Sequence, residues 1–375
     1  MKKILHIAEP FATGVLSFLV DITRRQVGKY DVYILWGQRP LTPDHVEDLF
    51  DPRVHLIKVD AFKGAMGTVV NPMAYRAVRR HFDKIKPDIV HMHSSASGFV
   101  GRWALPLGKV KAFYTPHGYS FLMQGGLPMK RWVFYAMEWI SALRPAVTVA
   151  CGRGEYREAT GLPGKKTCVI NGIKTEGMES YVNFVNPYDN GSTRSPQAHD
   201  DNSSSKRYKA TVVTSGRILK QKNPAFFNEV ARLLPEVKFV WIGSGELDKE
   251  LTAENIEVTG WVKREEALGI IRDANFFVLT SLWEGLPLSL LEGMYLKKVC
   301  LATNVIGNKD AIQNGVNGFI CEIPSAMAEK IRECLDGKHD LMALAEAAHK
   351  DVVKNYNVDK MAEAYEKLYE GFYNL

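Results

Sequence analysis

The sequence predicts an α/β protein of two Rossmann-like domains, each a parallel sheet covered by helices. Three observations carry this. The chain has 375 residues, more than one hydrophobic core usually serves. In both halves, short β-branched and aromatic runs alternate with amphipathic segments, as strand–helix–strand units require. Between the halves, residues 186–207 (NPYDNGSTRSPQAHDDNSSSKR) are too polar to bury a core.

In the first half, strands are expected at Lys3–Ala8, Asp31–Trp36, Val54–Val59, Asp88–His93, Lys111–Thr115 and Ala146–Ala150. Between them, Tyr75, Val78, Phe82 and Ile85 recur at helical spacing, with Arg76, Arg79, Arg80 and Lys84 on other faces. In the second half, Thr211–Ser215, Lys238–Ile242, Glu257–Thr259, Asn275–Thr280 and Val299–Ala302 read as strands. Helices are expected near Pro224–Leu233, Arg264–Arg272, Pro287–Leu296 and, last, Val358–Tyr373. The domains are then 1–180 and 208–355, joined by a polar linker or mobile loop at 181–207 and followed by a terminal helical segment at 356–375.

Apolar residues make up 46% of the chain and charged ones 24%, an ordinary balance for a soluble protein with real cores. No apolar run is long enough to span a bilayer. The start, Met1-Lys2-Lys3, is followed by Glu9 and Pro10 before a signal-peptide core forms, so it reads as a first buried strand. The cysteines (Cys151, Cys168, Cys300, Cys321 and Cys334) are five, an odd number, with no metal-ligand spacing, and read as reduced thiols of a cytoplasmic protein. In that setting the sequons at Asn190 and Asn202 carry no weight. Net charge is +6, but residues 1–180 hold 25 Lys+Arg against 15 Asp+Glu. This basic half suits an anionic partner, either a membrane surface or a phosphate-bearing acceptor. No nucleic-acid recognition motif accompanies the charge.

The segment with most chemistry runs from Thr280 to Glu292 (TSLWEGLPLSLLE). It leaves a strand, turns at Gly285 and enters a helix with Pro287 near its first position. In an open parallel sheet this carboxyl end is where ligands bind. The amides of Gly285 and Leu286 are potential donors there, and Glu284 and Glu292 can accept from the vicinal hydroxyls of a ribose or hexose. Arg217 and Lys222 follow another strand, and Gly216 before them lets backbone approach a phosphate. Two cations there would stabilise a departing nucleoside diphosphate. After the first strand, Glu9–Val15 contains Gly14 and opens a helix from Leu16 onward. His117 sits past a strand, before Gly118, where an imidazole can orient a hydroxyl. His91 and His93 share a strand face, with no third metal ligand at suitable spacing. The aromatic, cationic stretch Phe121–Tyr135 suits either a membrane interface or a helix buried against the sheet.

Glu284 and Glu292, with seven residues between them, match the Glu-x7-Glu signature of retaining GT-B glycosyltransferases, and the chain resembles glycosyltransferase family 4, the group 1 family. Ser215–Asn223 resembles the family's Gly-Arg…Lys motif, Trp241–Leu247 its strand and Gly-x-Gly turn at Gly243, Thr259–Val262 its base-side loop, and Asn314–Phe319 its Asn-Gly-x-Asn-Gly-Phe tail. In the first half, Pro87–His93 and Tyr114–Gly118 look like family segments. The chain departs from the family at Lys174 after Asn171-Gly172-Ile173, at Thr13 beside Gly14, and in the bulky run Met294–Lys298.

The resemblance implies a GT-B fold, two Rossmann-like domains with parallel sheets facing across a cleft. The acceptor would lie on the first domain, the nucleotide sugar on the second, and the terminal helix would cross back to the first. It implies His117, Arg217, Lys222 and Glu284 as catalytic residues. The donor would also meet Gly14, Gly216, Gly243, Trp261, Val262, Gly285, Leu286 and Glu292, the last at the ribose hydroxyls. No metal or cofactor is expected, since cationic side chains and helix ends take the metal's place. The expected reaction moves a sugar, with retention, from a UDP-sugar to a lipid-linked glycan in polysaccharide or capsule assembly, at the inner face of the cytoplasmic membrane. The alternatives are a nucleotide-sugar epimerase on the same fold and a non-catalytic nucleotide-sugar-binding subunit.

Overall fold

The computed structural model describes residues 1–40, 42–123, 128–188 and 208–371. The chain divides into two compact units: unit 1 is Met1–Lys174 with Tyr356–Leu375, and unit 2 is Thr175–Asn355. Of the expected 181–207 linker, 189–207 lie outside the described residues, as do both sequons and residues 124–127. Its described part is packed rather than free. Phe184 lies against the unit 2 core, the Val185 carbonyl accepts from Asn275 Nδ2 at 3.0 Å, and the Tyr188 hydroxyl donates to the Cys334 carbonyl. These apolar side chains precede the run that cannot be buried, and they join the nearest core.

Unit 1 holds a seven-stranded sheet: β1 (Lys2–Ala8), β2 (Tyr30–Trp36), β3 (His55–Lys58), β4 (Ile89–His93), β5 (Lys111–Thr115), β6 (Val147–Ala150) and β7 (Lys166–Cys168). The order is β3-β2-β1-β4-β5-β6-β7, with every pair parallel. Both faces are covered, so the strands read as nearly continuous apolar runs. Along β1, Ile4 and Ala8 join the core with Leu19 of helix Thr13–Gln26 and with Met361, Tyr365 and Leu368 of helix Val358–Glu370. Leu5 and Ile7 join the opposite core with Val78, Phe82 and Ile85 of helix Pro72–Ile85.

Unit 2 holds β8 (Thr211–Ser215), β9 (Lys238–Ile242), β10 (Ile256–Val258), β11 (Phe276–Leu279), β12 (Val299–Thr303) and β13 (Phe319–Cys321). Their order is β10-β9-β8-β11-β12-β13, again all parallel. The chain reverses its direction of sheet growth between β1 and β4 in unit 1 and between β8 and β11 in unit 2. Carboxyl strand ends at such a reversal leave a crevice for ligands. Every expected strand is present; β7 and β13 are added, each a three-residue strand on a sheet edge. Four cysteines are buried, Cys168 is half-buried, and none is disulfide-bonded. Burial pushes the Cys321 thiol up to about 11 and Cys334 up to about 12, as expected of packed, unreactive groups.

One buried ion pair joins helix Ser95–Ala104 to helix Pro128–Ser141. Arg102 Nη2 donates to Glu138 Oε2 at 2.7 Å, with the two side chains 2% and 4% exposed. Arg102 also donates from Nε to the Gly98 carbonyl and lies over the Tyr114 ring, whose hydroxyl donates to Glu138 Oε1. Replacing one partner strands the other charge in the interior. Glu138→Leu is therefore expected to lower stability by about 3–5 kcal/mol, read as a lower denaturant midpoint. Arg102→Met with Glu138→Leu should recover most of that loss.

Candidate functional site

At the unit 2 reversal, the loops after β8 and β11 are stitched together by backbone. Leu282 N–H donates to the Gln221 carbonyl at 2.8 Å, and Thr280 Oγ1 donates to the Lys222 carbonyl at 2.7 Å. This brings Lys222 and Glu284 side by side: Nζ lies 2.7 Å from Oε1, with the side chains 17% and 9% exposed. Ser281 Oγ donates to the same oxygen at 2.7 Å, and Gln221 Nε2 to Oε2 at 3.3 Å. Both Glu284 oxygens are thus engaged. From the sequence, Lys222 is assigned to a phosphate and Glu284 to a sugar; the structure pairs the two with each other.

The glycines set how closely these loops approach. Gly243 has φ +134°, and a Cβ there would lie 2.3 Å from the Gly216 carbonyl oxygen. The next cation, Arg217, has no carboxylate within ion-pair distance among the described residues. Burial pushes its pKa down, against the opposing pull of Glu246. The amides of Gly285 and Leu286 meet no protein acceptor among the described residues. Two loops therefore offer a half-buried guanidinium, an ammonium and unspent N–H groups, a constellation suited to an anion.

Glu292 lies in helix Leu288–Tyr295 and pairs through Oε1 with Arg264 Nη1 at 2.7 Å. Arg264, the first residue of helix Arg264–Asp273, was legible only as a helix boundary. The loop after β10 is drawn to Gly243 by a bridge from Gly260. It presents the Trp261 indole 71% exposed, with Val262 half-buried beside it.

In unit 1 the helix containing Gly14 begins at Thr13 rather than Leu16, because extended Ala12 already serves as its N-cap. Gly14 is exposed, and a Cβ there would meet nothing within 4 Å, so no protein neighbour demands glycine. His117 follows β5 in the left-handed region, with φ 52°. Buried Glu155 holds the turn through the amides of Gly118 at 2.6 Å and Cys151 at 2.7 Å. Burial pushes the Glu155 pKa up, against these amide bonds. Glu155 lies 37 residues from Gly118, and no motif marks it.

The sequence offered His91 and His93 without a third ligand. Packing supplies His6, and potential ligand atoms of all three lie within 4.8 Å of one another. Their nitrogens are already spent. His91 bonds the Tyr369 and Thr115 hydroxyls, His6 bonds Gln26 and His93, and His93 bonds His117. The cluster is a hydrogen-bond chain rather than an open metal tripod.

Comparison with known proteins agrees with this architecture. Residues 14–171 match the glycosyl transferase 4-like domain, and residues 197–351 match glycosyl transferases group 1. The chain is 29% identical to the Escherichia coli UDP-Gal:alpha-D-GlcNAc-diphosphoundecaprenol alpha-1,3-galactosyltransferase, covering 98% of this chain and 96% of that one. Sucrose-phosphate synthase from Thermosynechococcus elongatus superposes with a TM-score of 0.78 at 14% identity, covering 98% of both chains. Anabaena HepE, solved with UDP and glucose, superposes with a TM-score of 0.73 at 14% identity, covering 99% of this chain and 100% of that one. Two successive family domains along most of its length, on two parallel α/β sheets of the GT-B class, place the chain in the group 1 glycosyltransferases.

Proposed function

We propose that the protein moves a sugar, with retention and without a metal, from a UDP-sugar to a hydroxyl of a lipid-linked glycan during polysaccharide or capsule assembly. The observation that carries this reading is the Lys222–Glu284 pair beside Arg217 and the unspent Gly285 and Leu286 amides. In this reading the diphosphate takes Lys222, Arg217 and those amides, while the released Glu284 carboxylate accepts from the sugar hydroxyls. Gly216 and Gly243 let the backbone come close. The base stacks on Trp261 beside Val262, Glu292 holds the ribose, and Gly14 and His117 of unit 1 also meet substrate.

As the bond from the sugar's anomeric carbon to phosphate breaks, negative charge grows on the phosphate. Lys222 and Arg217 stabilise it more in the transition state than in the ground state. These cations take the role a divalent metal would otherwise fill. With Ser281 and Gln221 still bonded to it and sugar hydroxyls in the place of Lys222, Glu284 has a binding rather than a nucleophilic role in this reading, which favours a front-face route. There the acceptor oxygen bonds the anomeric carbon on the face the phosphate leaves, and its proton passes to a phosphate oxygen. A UDP-sugar and a lipid-linked acceptor are supported by the substrates in the name of the E. coli relative.

The acceptor's lipid fits a second feature. Helix Pro128–Ser141 turns apolar side chains outward: Trp132 is 72% exposed, Trp139 and Ile140 follow at helical spacing, and Leu143 is exposed in the turn just past its end. Of the two readings of Phe121–Tyr135, the buried one holds for Phe121, Phe134 and Tyr135, which join the unit 1 core, and not for Trp132. Lys130 and Arg131 are exposed on its first turn. Aromatic residues beside cations suit the headgroup region of an anionic membrane. Among the described residues no helix is long and apolar enough to cross one.

Nucleotide release across a panel of nucleotide sugars, with an undecaprenyl-diphosphate-linked sugar as acceptor, tests the reaction. Transfer with retained anomeric configuration and unaffected by EDTA is expected; isomerised free donor or binding without turnover would contradict it. Lys222→Ala should lower turnover on the order of 100-fold, and a near-wild-type rate would remove the residue from the site. Trp132→Ser with Trp139→Ser should abolish flotation with phosphatidylglycerol vesicles while leaving nucleotide binding intact.

A further inference from the structure

Strands β1, β4 and β5 bring histidines from distant parts of unit 1 into one buried line. Gln26 Oε1 lies 2.9 Å from His6 Nε2, His6 Nδ1 lies 2.9 Å from His93 Nε2, and His93 Nδ1 lies 3.1 Å from His117 Nε2. Gln26, His6 and His93 are at most 1% exposed. His117, at the carboxyl edge, is half-buried, and the Phe18 ring lies steeply inclined to it with centroids 4.8 Å apart. Burial pushes His6 down to about 4 and His117 down to about 3, and holds His93 well below the ordinary range. All three rings are neutral at pH 7.

A neutral imidazole has one N–H and one lone pair. A line of three such rings therefore has only two hydrogen-bonded states, with every bond pointing one way or the other. Gln26, at the end opposite His117, selects between them. An amide oxygen can only accept, so His6 carries its proton on Nε2. His6 Nδ1 must then accept from His93 Nε2–H, and His93 Nδ1 from His117 Nε2–H. His117 is left with a bare Nδ1, which meets no protein donor among the described residues. A reversed Gln26 amide would turn every bond round and leave His117 with an N–H at that position.

We infer that Gln26 is a positioning residue that, through His6 and His93, fixes His117 as a hydrogen-bond acceptor for a ligand hydroxyl. Sugars carry such hydroxyls in vicinal rows, and an acceptor of fixed direction discriminates their placement. Only the identity of the ligand rests on the proposed function; the tautomer belongs to the protein alone. The device needs no net charge and no proton transfer. It converts the orientation of one buried amide into the hydrogen-bonding sense of a ring three residues down the line.

Full-length protein with 15N-labelled histidine, deuterated elsewhere, reads this through long-range 1H–15N correlations at pH 7 without substrate. His6→Gln, His93→Gln and His117→Gln assign the rings by loss of signal. The expected spectrum shows Nε2–H tautomers for His6, His93 and His117. A proton on Nδ1 of His117 would overturn the inference while leaving the proposed transfer reaction standing. In Gln26→Met, similar in length but without an amide, His117 should shift to a mixture of tautomers. An unchanged His117 spectrum in a folded variant would also overturn it; if the variant does not fold, the wild-type spectrum decides alone. In a transfer assay, Gln26→Met should lower kcat roughly 10-fold with a smaller change in donor KM, as for other lost imidazole-orienting bonds.

Discussion

The ion pair between Lys222 and Glu284 is the constraint around which the unit 2 site is arranged. Neither charge is fully solvated, and each is tolerable where it sits because the other is 2.7 Å away. Backbone bonds from Leu282 to Gln221 and from Thr280 to Lys222 hold the pair in register. These bonds are available because β8 and β11 are neighbours at the sheet's reversal, which in turn depends on the parallel order of the strands. A local pair of loops thus inherits its precision from the whole sheet.

In the proposed reading the pair stands in for a ligand: an anion drawn to Lys222 would release the Glu284 carboxylate to accept new hydrogen bonds, and Arg264 would do the same for Glu292. Unit 1 follows a different principle. There Glu155 holds the turn after His117 through two backbone amides, and a line of imidazoles runs to His117 from Gln26.

Much of the fold was legible. Lys111–Thr115, Thr211–Ser215 and Lys238–Ile242 begin and end where the sequence placed them, because β-branched and aromatic residues fill each run and polar or turn residues bound it. Of the three three-residue edge strands, Ile256–Val258 was read to within one residue while Lys166–Cys168 and Phe319–Cys321 were missed, since runs this short carry little period to separate them from a loop. At the site, Glu284, Glu292, Arg217 and Lys222 were legible as chemistry, but their partners were not. Lys222 and Glu284 lie 62 residues apart, and His6 and His93 lie 87 apart. Such partners are chosen by strand order rather than by spacing. Arg264 read only as a helix start, and no motif marks Gln26 or Glu155.

The central claim is that Lys222 is held for a diphosphate by a carboxylate that must let go of it. Isothermal titration of UDP, which lacks the sugar, separates the two roles. The account predicts that Glu284→Gln binds UDP at least as tightly as wild type, because the cation no longer has a charged partner to leave, and that Lys222→Met weakens UDP binding severely. Equal weakening by both substitutions, or none by Lys222→Met, would contradict it.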